Sequence, residues 1–392
     1  MTNFPILVTR RSGALDLLSP TGSGWEATTI APQGRWPAWN PRRDIVAYST
    51  VRLDREPRST IELASIYGGH IKTVFESQPG IAPVIAPRVP HYINWSPGGD
   101  ILSFVANGQF GLTFHLSDID GLLQSDPILN GAPIFHAWCI DNNFVAVHAG
   151  SELAVVESAG SRVTADISGG AVGFRTPAYS DDHASLAYAL PGEPGVVIMV
   201  AIFQGTASRE VARFSGGVAL AFRPGTNQLS ICVTHNPTSG TFDELWLLDL
   251  AESQTLPVKI AKGPFVACIW SPTGEHVALA IPLQTGDGRY QVVVRDAGGA
   301  FGAASAAFVP SLDVRVALGF FDQYALSHHT WAPDGQSMVI CGREPGDAVS
   351  SAFGETAGDY VFLWRPFERR PLELITAGEF AVFQPLAKTL YD

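Results

Sequence analysis

Ten histidines and an arginine-rich basic set are the residues of this chain with obvious chemical potential. His91, His136 and the adjacent His328 and His329 fall at similar places in a recurring phrase, as do Arg35, Arg175 and Glu379. Brought to one channel mouth, the arginines would hold a carboxylate or phosphate through paired N–H donors. An imidazole beside them would serve as general base, giving hydrolase or lyase chemistry on an anionic small molecule. Three imidazoles (His91, His136 and His328) would alternatively bind a metal with an open position. Strand alternation turns His328 and His329 to opposite sides, so only one of them can face a channel. The plainer expectation is a polar rim without metal or cofactor.

These residues come from distant parts of the chain, and a repeat would have to bring them together. An apolar strand ending in an aromatic residue is followed by a polar turn and a second apolar strand. The clearest copies are WPAWNPRRDIVAY (36–48), YINWSPGGDILSF (92–104), ACIWSPTGEHVAL (267–279) and HHTWAPDGQSMVI (328–340). Weaker copies begin at Phe135, Thr176 and Ala219, and a truncated one starts at Glu379. The anchors are Trp39, Trp95, Trp138, Tyr179, Phe222, Trp270, Trp331 and Phe383, with gaps of 41 to 61 residues. That spacing suits a four-stranded propeller blade of roughly 40–50 residues. Proline followed by glycine or asparagine supplies the turn.

The ends complete the count. Residues 1–34 hold three strand-like runs without an anchor, and 378–392 hold an anchor with nothing after it. The expectation is an all-β propeller of eight four-stranded blades over 1–392. Its closing blade takes one C-terminal and three N-terminal strands, which removes open sheet edges. Seven blades with the ends as an appendage is the alternative.

With W-S-P-G-G at 95–99, W-S-P-T-G at 270–274 and W-A-P-D-G at 331–335, the chain resembles the TolB-type WD40-like propeller repeat. The resemblance implies the fold. A rigid ring with one loop-rich face and no complete catalytic set is expected to be a non-enzymatic binding or scaffold module that uses the channel-mouth face. Peptidases with the same propeller repeat carry a G-x-S-x-G elbow in a second domain. No such elbow occurs here, so that activity is not carried over.

Composition limits the partners. A net charge of −12 and 16% charged residues argue against a nucleic-acid groove or an anionic membrane surface. No apolar run reaches membrane-spanning length. The four cysteines are isolated in apolar sequence, as in a reducing compartment, and a cytoplasmic location is expected. A protein partner or a small-molecule ligand remains. The longest gap, between Trp270 and Trp331, contains an apolar insertion with Phe320, Phe321, Asp322 and Tyr324. It is expected to form a lid or partner-binding surface, or else a short helix or a long outer hairpin packed on the last full blade. The loop at 343–360 reads as a mobile hairpin connection, and Asp181-Asp182-His183 as a surface turn.

Overall fold

The protein is described from a computed structural model covering residues 4–120, 126–158, 163–167, 175–181, 185–193, 195–202, 207–251, 256–344, 358–368 and 370–386. Most of the 343–360 loop, and Asp182 and His183, lie outside these residues.

The described residues form eight four-stranded antiparallel sheets. Seven are consecutive in the chain. The eighth joins Gly24–Ala31, Leu15–Thr21 and Ile6–Thr9 to the C-terminal strand Phe380–Phe383. Ile6 pairs with Phe383 and Thr9 with Phe380, so the two ends of the chain close the ring. The eight-bladed expectation holds and the seven-bladed alternative falls.

Each blade lies between two neighbours, so its middle strands are buried on both faces. Ile6–Thr9 is therefore a continuous buried run of apolar or small residues rather than an alternating one. The outermost strand of the first blade, His70–Glu76, is mostly exposed and carries Lys72 and Glu76.

The anchors explain why the phrase recurs. Indole N–H groups reach back to the preceding blade. Trp95 Nε1 donates to the Ala38 carbonyl at 3.1 Å and Trp331 Nε1 to the Ile269 carbonyl at 3.1 Å. Trp138 donates to Ser103 Oγ at 2.8 Å and Trp270 to Ser230 Oγ at 3.1 Å. A buried indole thus fills the inter-blade seam and satisfies its one donor across it.

The seventh blade departs from the pattern. Its innermost strand is broken. Val309–Pro310 pairs with Gly342–Arg343, Trp331 bridges to Met338, and two helices stand between these pieces. These are α1 (Leu312–Gly319) and α2 (Phe321–Tyr324). Together they plug the central channel. Tyr324 packs its ring 4.9 Å from Trp36 and 5.2 Å from Tyr92. The Tyr92 hydroxyl donates to the Gln323 carbonyl at 2.8 Å, and His136 N donates to Gln323 Oε1 at 3.2 Å. The insertion is helical, as one expectation had it, but lies inside the ring. The reason is that it interrupts an innermost strand, whose only free side is the channel. Among the described residues no helix is long and apolar enough to cross a membrane.

Candidate functional site

The channel has two mouths, one where the innermost strands start and one where they end. The strand-start mouth holds the residues singled out by type. Arg35 and Glu379 do meet there, but around a third group. Asp313, in the first turn of α1, is 2% exposed. Arg88 Nε lies 3.1 Å from one Asp313 oxygen and Arg35 Nη1 3.5 Å from the other. Both arginines also reach the Glu379 carboxylate. Ser311 caps α1: its Oγ accepts from Val314 N at 3.2 Å and donates to the Glu379 carbonyl. Burial pushes the Asp313 carboxyl up to about 6, against the pull of Arg88 and Arg35. Asp359 is raised by burial as well, with Arg343 3.3 Å away opposing it. The arrangement neutralises its own charges and pins α1 into the mouth.

Arg175 is likewise engaged by the plug. Its Nη1 is 2.9 Å from Asp322 Oδ1, and the other Asp322 oxygen accepts from Thr176 N at 2.9 Å. The guanidinium also lies over the Phe242 ring at 5.0 Å. Of the four residues expected to form a partner surface, Phe321, Asp322 and Tyr324 are buried in the channel, and only Phe320 is exposed, at 40%. A docking surface built from them is therefore not formed, because α2 turns inward.

The histidines are not brought together. His91 lies in the seam between the first two blades, hydrogen-bonded to Ser49 Oγ at 3.0 Å and Ser59 Oγ at 3.1 Å. His136 is held by Ser103 Oγ at 2.8 Å, with its ring against Tyr92 and Phe114. His328 binds Ser327 Oγ at 2.7 Å and packs among Trp36, Tyr324 and Phe380. Burial lowers all three to about 3, so each is a neutral core imidazole near pH 7 rather than a base poised there. Among the described residues no group of three or more His, Cys, Asp or Glu side chains could hold a metal ion. The His91–His136–His328 metal centre is thereby corrected: each ring is held by its own serine contacts.

The strand-end mouth is open. A cavity of about 320 Å³ opens there, its floor formed by Asp322 and the segment Ala325–Thr330 at the end of the plug. Its walls are two rings of equivalent positions. Two residues after the anchors stand Pro41, Pro97, Ile140, Pro224, Pro272 and Pro385, with Asp181 the one charged member among them. One residue before the anchors stand Ala38, Ala137, Ala178 and Ala221, with Asn94, Ile269 and Thr330 at the same position. Small residues there leave the space open. Turns beyond several anchors use a left-handed residue, among them Gly99 (φ 75°), Gly335 (φ 68°) and Asn142 (φ 69°). Neighbouring turns are tied in sequence, for example Asn40 Nδ2 to the Gly99 carbonyl at 2.7 Å.

Reading by residue type missed this funnel, because its walls carry no reactive groups. The available signal was the repeat itself, aligned on the anchors and read one position before and two after. Trp36 was also missed. It is buried at φ 51°, where a bulge between Arg35 and Ala38 turns it onto the plug. Its Nε1 donates to the Arg88 carbonyl at 2.9 Å. The capping signal Ser311-Leu312-Asp313 could have marked α1.

No protein-family model and no curated protein matches the chain. Among solved structures it is similar to the dihydro-heme d1 dehydrogenase NirN in complex with DHE. Identity is 12% and the TM-score 0.59, over 97% of this chain and 75% of that one. A eukaryotic initiation factor aligns at 13% identity and TM-score 0.57, over 98% of this chain and 99% of that one. The C-terminal WD40 domain of Sif2 aligns at 12% identity and TM-score 0.51, over 87% of both chains. TolB structures are among the matches too, aligned less well. At such identities the likeness is one of fold: the chain is a β-propeller with a WD40 domain among its structural neighbours.

Proposed function

We propose that this chain is a binding propeller that takes a small molecule, or the apolar tip of a protein partner, in the strand-end funnel. One observation carries the reading: a cavity of about 320 Å³, walled by all eight blades and floored by the chain's own plug. Small-ligand sites span roughly 300–1,000 Å³ and are mostly apolar with a few polar groups. The groups that could do acid–base work are engaged elsewhere. Asp322 is paired with Arg175, and the three core histidines are held neutral by burial. In this reading Arg35, Arg88, Asp313 and Glu379 lock the plug that forms the floor, and residues 1–392 act as one propeller unit. Four buried free thiols are in keeping with a reducing, cytoplasmic setting.

The test fills the funnel. Ala221 lines it from the fifth blade, and Ala221→Trp would occupy the cavity. Ligand-observed NMR against a mixture of neutral, anionic and cationic aromatic fragments should give hits with the wild-type chain. Those hits should vanish in the variant. Leu326→Trp, on an exposed part of the floor, gives the same test if Ala221→Trp does not fold. Hits that persist unchanged in a folded, filled variant overturn the reading.

A further inference from the structure

The ring one position before the anchors is apolar on most of its circumference, with alanine in four blades. Asn94, in the second blade, breaks it. Strand alternation puts Asn94 on the same side as Tyr92, whose hydroxyl points into the channel at Gln323. The carboxamide therefore faces the funnel. The residue is only 5% exposed, and it lines the cavity. A carboxamide on a cavity wall presents donors and an acceptor to whatever fills the cavity. The same ring carries Thr330, whose hydroxyl is buried and unpartnered.

Charge narrows the chemistry. Of the carboxylates on the cavity, Asp322 is held by Arg175 and Thr176 N, and Asp181 accepts from Gly225 N at the rim. An anionic ligand would have to give up water beside the Asp322 and Asp181 carboxylates, which is unfavourable. A carboxamide both donates and accepts, and it pairs best with a group that does the same.

We infer that the funnel takes an uncharged ligand with an apolar body and one amide-like edge, whose donor and acceptor meet the Asn94 carboxamide. The inference rests on the funnel being the recognition site, and adds the ligand class and the residue that selects it.

The experiment uses two probes of matching shape, phenylacetamide and phenylacetate, titrated into the full chain by ligand-observed NMR. Wild type should prefer the amide by about tenfold or more, since a site built to pair an amide rejects the analogue that cannot reciprocate. Asn94→Leu, similar in size but unable to pair, should weaken the amide by about tenfold and leave phenylacetate unchanged. Thermal unfolding checks that the variant folds, and Asn94→Ala replaces it if it does not. No amide binding, equal binding of the two probes, or an Asn94 variant that binds the amide like wild type would each overturn the inference. Ala221→Trp separates the layers. Amide binding lost there but kept in the Asn94 variants leaves the funnel standing and removes the assigned role of Asn94. Amide binding kept in both removes the funnel itself.

Discussion

The two mouths of the channel are made by the same eight innermost strands, yet their side chains come from different sources. At the strand ends the wall is written by the repeat. The positions just before and after each anchor recur blade after blade, and they are small or apolar because neighbouring turns crowd there. At the strand starts the preceding connections differ in length, and the side chains come from what those connections carry. Arg88 arrives from a loop, Asp313 from the insertion and Glu379 from the closing blade. One mouth is therefore coded by periodicity and left open. The other is coded by exceptions to it and closed. Residue types that look chemical concentrate at the closed mouth, where they serve as a lock.

The comparison breaks most severely at Trp36, the side chain that joins wall to plug. Its ring contacts Tyr324, His328 and Phe380. Trp36→Ala should cost about 4–5 kcal/mol in urea unfolding, as removal of a large, fully buried aromatic does. It should also abolish fragment binding at the far mouth, because the funnel floor is the plug. Binding that survives would show that the two mouths are independent.

Proton linkage gives the next largest effect and separates the groups by sign. His91, His136 and His328 have native values near 3 against 6.5 when free. Their stability is fully present above pH 6.5 and is lost progressively as pH falls from 6.5 towards 3. Asp313 runs the other way. Its native value of about 6 lies above the free 3.8, so its contribution is present below pH 4 and is lost as pH rises through 6. Between pH 7 and pH 5 each histidine loses about 2 kcal/mol and Asp313 regains about 1, for a net loss of about 5 kcal/mol. Unfolding free energy measured across that range checks the total. His91→Gln should flatten the decline and Asp313→Asn should steepen it; the same direction for both would refute the assignment.

Arg88 tests the lock alone. Arg88→Met leaves Asp313 and Glu379 with one shared arginine, and removing a partner from a partly buried pair should cost about 2 kcal/mol. Phenylacetamide affinity at the other mouth should stay as in wild type if the plug remains seated.

How far these features are legible before folding follows the same division. The blade count, the closing blade and the turn residues could be read because they repeat. Trp39, Trp95 and Phe383 mark a spacing that only a ring of blades satisfies. The insertion could be seen as excess length between Trp270 and Trp331, but not placed. Its place depends on Val309–Pro310 pairing with Gly342–Arg343, a two-residue strand with no pattern of its own. Arg35 and Glu379 were found by position. Their partners Arg88 and Asp313 were not, because neither sits in the repeat. His91 and His136 were weighed as chemistry, yet only Ser49, Ser59 and Ser103, pairing on other strands, show that they are seam residues.

The smallest effect sharpens the claim that the open mouth is written by its turns. Gly225 and Gly274 occupy turns of adjacent blades with nearly the same left-handed backbone, φ 70° and 69°. A β-carbon at Gly225 would meet nothing within 4 Å, whereas one at Gly274 would lie 2.2 Å from the Pro224 carbonyl oxygen. Gly225→Ala should therefore cost only the backbone penalty, about 1 kcal/mol. Gly274→Ala adds a collision with the rim of the preceding blade and should cost distinctly more. Thermal unfolding of the two variants reads the difference directly. Equal losses would mean that the turns act one by one; unequal losses would mean that each blade's turn is seated on the last, which is what holds the funnel rim in register around the ring.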